Sequence, residues 1–303
     1  MVTIGKGKNL GSKGAVFFVI ALLLIPIIHW IIFWFGVNIN SILMAFQLPT
    51  GEWSLETMES VLKEIIRNDS NNIINLNTAI GNTLIYFGKD LLMIPFHLII
   101  AYFFYKKIPG FRAFQVVFYL PSIISGVAFA TMFEQFIAKS GPVGLMLKGF
   151  GVSPVPEFLA NSDYATWTIL FYTIWIGWGG NMLLLGGALA RVPIEILESA
   201  RLDGIKPWQE LLYMILPLIW STLSTLLILN MTGLFIADGP ILLFTRGAFD
   251  TSTIGYWIFH RVYEDGPGAY NSVAAAGLVF TVIGAPFILF TKWLIERVPV
   301  VEY

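Results

Sequence analysis

The chain has 303 residues, 56% hydrophobic and 12% charged, with a net charge of −1 and no cysteine. Soluble domains carry about a quarter charged residues, so a mean hydropathy of +0.75 over this length points to an integral membrane protein. The near-zero charge offers no bulk attraction for nucleic acid, and the lack of cysteine excludes disulfides, cysteine–zinc sites and thiol catalysis.

Lys6, Lys8 and Lys13 precede an uncharged run from Gly14 to Gly51. Residues 15–36 are too long and too aromatic for a cleaved signal peptide, and predict an uncleaved first membrane helix with its basic end inside. Residues 37–78 contain WSLETMESVLKEII, where Leu55, Met58, Leu62, Ile65 and Ile66 recur at helical spacing. Ser54 is placed to cap that helix, which is expected to lie flat on the outer membrane face. A helix rising 1.5 Å per residue crosses the hydrocarbon core in about twenty residues. Five further spans are predicted on that basis, over 79–105, 113–137, 165–189, 216–238 and 271–293. The second span holds Lys89 and Asp90 side by side, and the fifth ends in the polar group Ala237–Pro240. Residues 138–164, with Gly141, Pro142, Gly149, Gly151, Pro154 and Pro156, predict a looped segment.

With both termini inside, eleven lysines and arginines fall on the inner side and six on the outer, with Lys89 inside a span. That bias predicts six spans and puts the segment around residues 190–216 in the cell. The expected organisation is residues 1–77 as a first helix plus an outer amphipathic segment, 78–295 as the membrane core, and 296–303 as a short tail.

No GxxxxGK[ST] phosphate loop occurs, GWGG at 177–180 does not fit a dinucleotide fingerprint, and no GxSxG elbow is present. Small residues in a span more often permit close helix packing. His29, His97 and His260 are scattered over different segments, so no metal cluster is expected. These absences argue against an intramembrane enzyme.

The most charged short stretch is ESARLDGIKPWQELLYMILP at 198–217, lying between long apolar runs. Pro193 suits the first turn of a helix on which Ile194, Leu197 and Ala200 form an apolar stripe. Gly204 is suited to a left-handed cap, and Pro207 can start a second helix leading into the fifth span. The prediction is a short helix, a tight turn and a re-entrant helix on the inner face.

Glu198-Ser199-Ala200, Asp203-Gly204, Trp208-Gln209 and Leu216-Pro217 resemble the EAA motif of binding-protein-dependent ABC importer permeases. Ser199 stands for the usual first alanine, and Ile205 for a small residue after the glycine. Tyr119-Leu120-Pro121-Ser122-Ile123-Ile124-Ser125 is similar to a pattern of sugar permeases, and residues 78–295 fall within the resemblance. The stretch GYWIFHRVYEDGPGAYNSVAAAGLVF looks most like permeases for complex oligosaccharides or polysaccharide fragments.

The resemblance implies an all-α membrane protein with the six-helix, MetI-like permease fold and a coupling helix docking in a groove of a cytoplasmic ATPase. Ile194, Leu197, Glu198, Ala200, Asp203 and Gly204 would form the coupling surface, with Glu198 pairing with a basic ATPase group and the apolar three filling the groove. The implied partners are a second homologous permease, an ATPase dimer carrying ATP and Mg, an extracellular or periplasmic solute-binding protein, and the lipids of a bacterial cytoplasmic membrane. No cofactor would be bound by this chain. For substrate passage, polar and aromatic groups in an apolar cavity are sought. The fourth span offers Thr173, Trp175, Gly177, Trp178 and Asn181, and the fifth Thr225, Asn230, Thr232 and Gly233. Counting from Glu198, the maltose-type sugar site corresponds to Thr173, Ile176, Gly177 and Gly180, then Asn230, Gly233, Leu234 and Ala237. From the residues themselves, a secondary transporter using Lys89 and Asp90 as its coupling pair remains open.

Overall fold

The computed structural model describes residues 13–66 and 74–299; Lys6, Lys8, Arg67 and the end of the tail lie outside the described residues. Among the described residues every named element is helical, and the β-type contact is an isolated antiparallel bridge between Gln47 and Trp53. The chain divides into two compact units, residues 1–61 with 267–278, and residues 62–266 with 279–303.

In the first unit, α1 (Lys13–His29) continues through a π-helical turn (Trp30–Gly36) into α2 (Val37–Met44). Together they make an apolar helix of 31 residues, Gly14–Met44, with none of its most apolar stretch buried in the chain. A helix apolar all round and bare of protein is suited to lipid. Its end is tied to the start of α16 (Tyr270–Glu296) by Asn271, which donates to the carbonyls of Met44 and Gln47 at 3.0 and 2.9 Å. The cap expected at Ser54 is present: its hydroxyl accepts from the Glu56 N–H at 3.1 Å and starts α3 (Glu56–Ile66). Leu55, Leu62 and Ile66 of the predicted apolar face stand exposed.

The second unit is built around α4 (Leu76–Tyr105), thirty residues capped by the Asn75 side chain. Asn82 donates to the carbonyls of Asp250 and Ser252 at 2.6 and 2.8 Å, and Thr83 accepts from the Ile254 N–H at 2.9 Å. These two buried side chains thus find backbone partners, as an interior without water favours. Next come α5 (Phe111–Ile123), α6 (Gly126–Ile137), α7 (Pro142–Gly149), α8 (Ala165–Ile176) and α9 (Trp178–Leu189). Gly179 explains how α5 and α9 meet. A Cβ there would lie 2.5 Å from the Ser122 hydroxyl and 2.9 Å from its Cβ, so the helices approach closely because that carbon is missing. The chain then forms α10 (Ile194–Leu202), α11 (Pro207–Gln209), a π-helical stretch (Glu210–Ile215), α12 (Leu216–Leu218), α13 (Trp220–Thr232), α14 (Ile241–Phe244) and α15 (Ile254–Tyr263).

Four helices are long and apolar enough to cross a membrane, or six if two bent pairs each count as one span. Four of the six expected spans are single helices of spanning length, and the other two fall on bent helix pairs. The third bends by 107° between α5 and α6, where Ile124 and Ser125 are extended. Pro121, one turn earlier, cannot donate to the carbonyl four residues back, which weakens the helix just before the break. The fifth bends by 79° at Ile219, after Pro217. A second difference lies in 138–164: Pro142 sits in the first turn of α7, an eight-residue helix inside the expected loop.

Candidate functional site

The segment from Ile194 to Leu218 folds as the sequence predicts, from local causes. Gly204 adopts φ +75°, a left-handed conformation that side chains with a Cβ resist. The Ile205 N–H then reaches back to the Ala200 carbonyl at 3.3 Å and closes α10. On the far side, the Lys206 N–H donates to the Gln209 side chain at 3.0 Å, and Pro207 occupies the first turn of the re-entrant helix.

α10 carries two apolar stripes. Leu197 and Ala200 are buried, and Leu197 joins the core formed by Leu98, Leu185, Leu189, Leu211 and Ile215. Ile194 is 54% exposed and Leu202 is 90% exposed, with Glu198 exposed between them. The expected stripe of Ile194, Leu197 and Ala200 is thus divided. Leu197 mounts the helix on its own core and Ala200 is buried beside the turn, while Ile194, Glu198 and Leu202, four residues apart, share the outward face. A helix lying on a core must bury one stripe against it, and sequence periodicity does not say which. Asp203 and Gly204 are exposed at the turn and, with Ala200, Gln209 and Tyr213, border a hollow of about 510 Å³.

Of the predicted pathway residues, four come together. Asn181, Asn230, Gly233 and Ala237 line a cavity of about 420 Å³ with Phe87, Asp90 and Asp238. Asn181 contacts the His97 ring nitrogen Nδ1 at 3.4 Å, and Asn230 donates to the Leu226 carbonyl at 2.9 Å. Gly233 ends α13, its N–H bonded to the Asn230 carbonyl. Thr173, Gly177, Trp178 and Leu234 stand apart from this wall. Thr173 is buried and donates to Leu170; Gly177 is the break between α8 and α9; Leu234 packs on Phe87 and Met231. Trp178 lies edge-on to His97 at 5.4 Å and to Phe118 at 5.3 Å, outside the cavity lining. Asp238 was outside the sequence-predicted set. Its signal was a lone carboxylate at the end of an apolar run. Lys89 and Asp90 pair with each other at 2.5 Å, with Lys89 only 12% exposed.

Residues 92–299 match the family described as the binding-protein-dependent transport system inner membrane component. The chain is 29% identical to the probable ABC transporter permease protein MG188 of Mycoplasma genitalium, over 86% of this chain and 78% of that protein. It is 25% identical to the probable permease YesP of Bacillus subtilis over 66% of each chain. It is also 29% identical to the maltose/maltodextrin permease MalF of Escherichia coli, over 57% of this chain and 35% of MalF. In three dimensions it matches a chain of a bacterial ABC transporter involved in import of the acidic polysaccharide alginate. That match has a TM-score of 0.78 at 24% identity, covering 93% of this chain and 96% of the other. The helical order, the broken spans, the α10 turn and the matched profile agree, and the chain belongs to the binding-protein-dependent transport system inner membrane component family, with the MetI-like permease fold.

Proposed function

We propose that the chain is one permease subunit of a bacterial ABC importer for an oligosaccharide or polysaccharide fragment, forming half of the pathway beside a second, homologous permease. The observation that carries this reading is α10: an exposed Ile194–Glu198–Leu202 face mounted on the hydrophobic core through Leu197. A rigidly held, half-apolar and half-charged face is suited to docking, because it costs little conformational entropy on binding. It would dock on a cytoplasmic ATPase dimer that carries ATP and Mg, Asp203 and Gly204 shaping the turn. Closure of that dimer would move α10 and tip the pathway between two states. A solute-binding protein on the outer face would deliver the sugar, and both termini would lie in the cytoplasm.

A sugar is favoured by the lining of the 420 Å³ cavity, where Asn181 and Asn230 supply hydrogen-bonding groups beside Phe87. Relatives named for maltose/maltodextrin and lactose support the same class. The test is co-expression with the neighbouring permease, ATPase and solute-binding protein, followed by uptake assays in vesicles with labelled maltooligosaccharides and uronate oligosaccharides. ATP-dependent uptake requiring all four proteins is expected. Uptake by this chain alone, driven by a proton or sodium gradient, would replace the reading with secondary transport through Lys89 and Asp90.

A further inference from the structure

The residue of the polar stretch that docking leaves unexplained is Glu210. Its side chain is only 2% exposed, and both of its carboxylate oxygens lie 2.7 Å from the Lys106 ammonium. The two residues are 104 positions apart, at the last turn of α4 and the first turns of the re-entrant helix. The pairing suits both helix poles. Lys106 caps the carbonyl end of α4, where a cation is favoured, and Glu210 sits near the N–H end of the helix Pro207–Leu218, where an anion is favoured. Three further contacts close around the pair. The Tyr102 hydroxyl donates to the Pro207 carbonyl at 3.3 Å, Lys106 lies over the Tyr102 ring at 5.5 Å, and Phe103 meets Trp208 edge-on at 6.5 Å.

A buried ion pair is a poor source of stability, since desolvation consumes much of its attraction, but it holds a fixed geometry and punishes separation. Its position gives that geometry a use. The Gly204 turn leads from α10 directly to Pro207, and α4 carries Phe87 and Asp90 in the cavity wall. We propose that Lys106 and Glu210 are positioning residues: they clamp the re-entrant helix to α4, so that movement of α10 reaches the cavity as movement of α4. This rests on the docking reading of α10. Without the clamp, the six residues of the π-helical stretch Glu210–Ile215 and the bend at Ile219 are places where the displacement would dissipate.

The chain has no cysteine, so labels can be introduced without removing any. Spin labels at Lys107→Cys and Tyr213→Cys, both exposed positions, should give one narrow distance in the assembled complex, identical with and without ATP. Glu210→Gln should broaden it. In vesicles, Glu210→Gln should lower sugar imported per ATP hydrolysed at least tenfold while the complex still assembles. The apolar pair Lys106→Met with Glu210→Leu should keep the melting temperature yet stay uncoupled, and the swap Lys106→Glu with Glu210→Lys should regain part of the coupling. An unchanged label distance in Glu210→Gln, or wild-type coupling in the apolar pair, would overturn the clamp. If instead the distances behave as expected but the wild-type complex moves no sugar with ATP, the clamp between the helices stands and the importer reading falls.

Discussion

The α10 turn and the membrane cavity are built in opposite ways. The turn is made by neighbours in sequence: Gly204 supplies the left-handed residue, Pro207 the helix start and Gln209 the cap, all within a few positions. The cavity is made by residues far apart, Phe87 and Asp90 from α4, Asn181 from α9, Asn230 and Gly233 from α13, and Asp238 beyond it. Local geometry of this kind survives changes elsewhere in the chain. A cavity wall depends on every helix that presents it. The comparison predicts that single changes at the turn abolish function outright, whereas single changes at the cavity grade it.

The largest effect is expected at Gly204. Gly204→Glu forces a side chain into the left-handed region, costing about 1–2 kcal/mol and turning α10 away from its docking direction. ATP-driven uptake should be lost while the protein still inserts, as judged by its amount in the membrane fraction. Full uptake would mean that the turn is not needed.

The two stripes of α10 should separate next. Leu197→Ala empties a buried position and should destabilise the protein by about 2–5 kcal/mol. Leu202→Ala, at an exposed position, should change stability by no more than about 0.5 kcal/mol yet reduce retention of the ATPase in a pull-down. Equal losses of melting temperature in the two would erase the distinction drawn between mounting and docking faces.

Packing around the cavity should respond less. Gly179→Val places atoms against Ser122, and overpacking of this kind costs about 1–3 kcal/mol, readable as a lower melting temperature of the purified protein. A compensating Ser122→Ala should recover part of it. The smallest effect is expected from Asn230→Leu. Loss of one hydrogen-bonding group should raise the half-saturating sugar concentration about tenfold, equivalent to about 1.4 kcal/mol, with the ATPase still bound. Unchanged uptake kinetics would remove Asn230 from the pathway.

Much of this is legible in the sequence. The six apolar segments, the Ser54 cap and the Gly204–Pro207 punctuation were each readable because backbone hydrogen bonding and conformational freedom are set by residues a few positions apart. The bends were not read. Pro121 and Pro217 were visible, but proline within a membrane helix is often accommodated, and the direction taken after it depends on what the next helix packs against. Likewise Ile194, Leu197 and Ala200 looked like one stripe, and only the core beneath α10 divided it.

The sequence by itself determined that this is a membrane chain of six apolar segments with a helix–turn–helix after the fourth, because hydropathy, proline and glycine act locally and cannot be overruled at low cost. The tertiary structure decided what faces what. It turned Leu197 inward and Leu202 outward, brought Asn181, Asn230 and Asp238 to one wall, and joined Lys106 to Glu210 across 104 residues. Those choices follow from which surfaces bury one another, and burial is a property of the whole fold that no local stretch of residues contains.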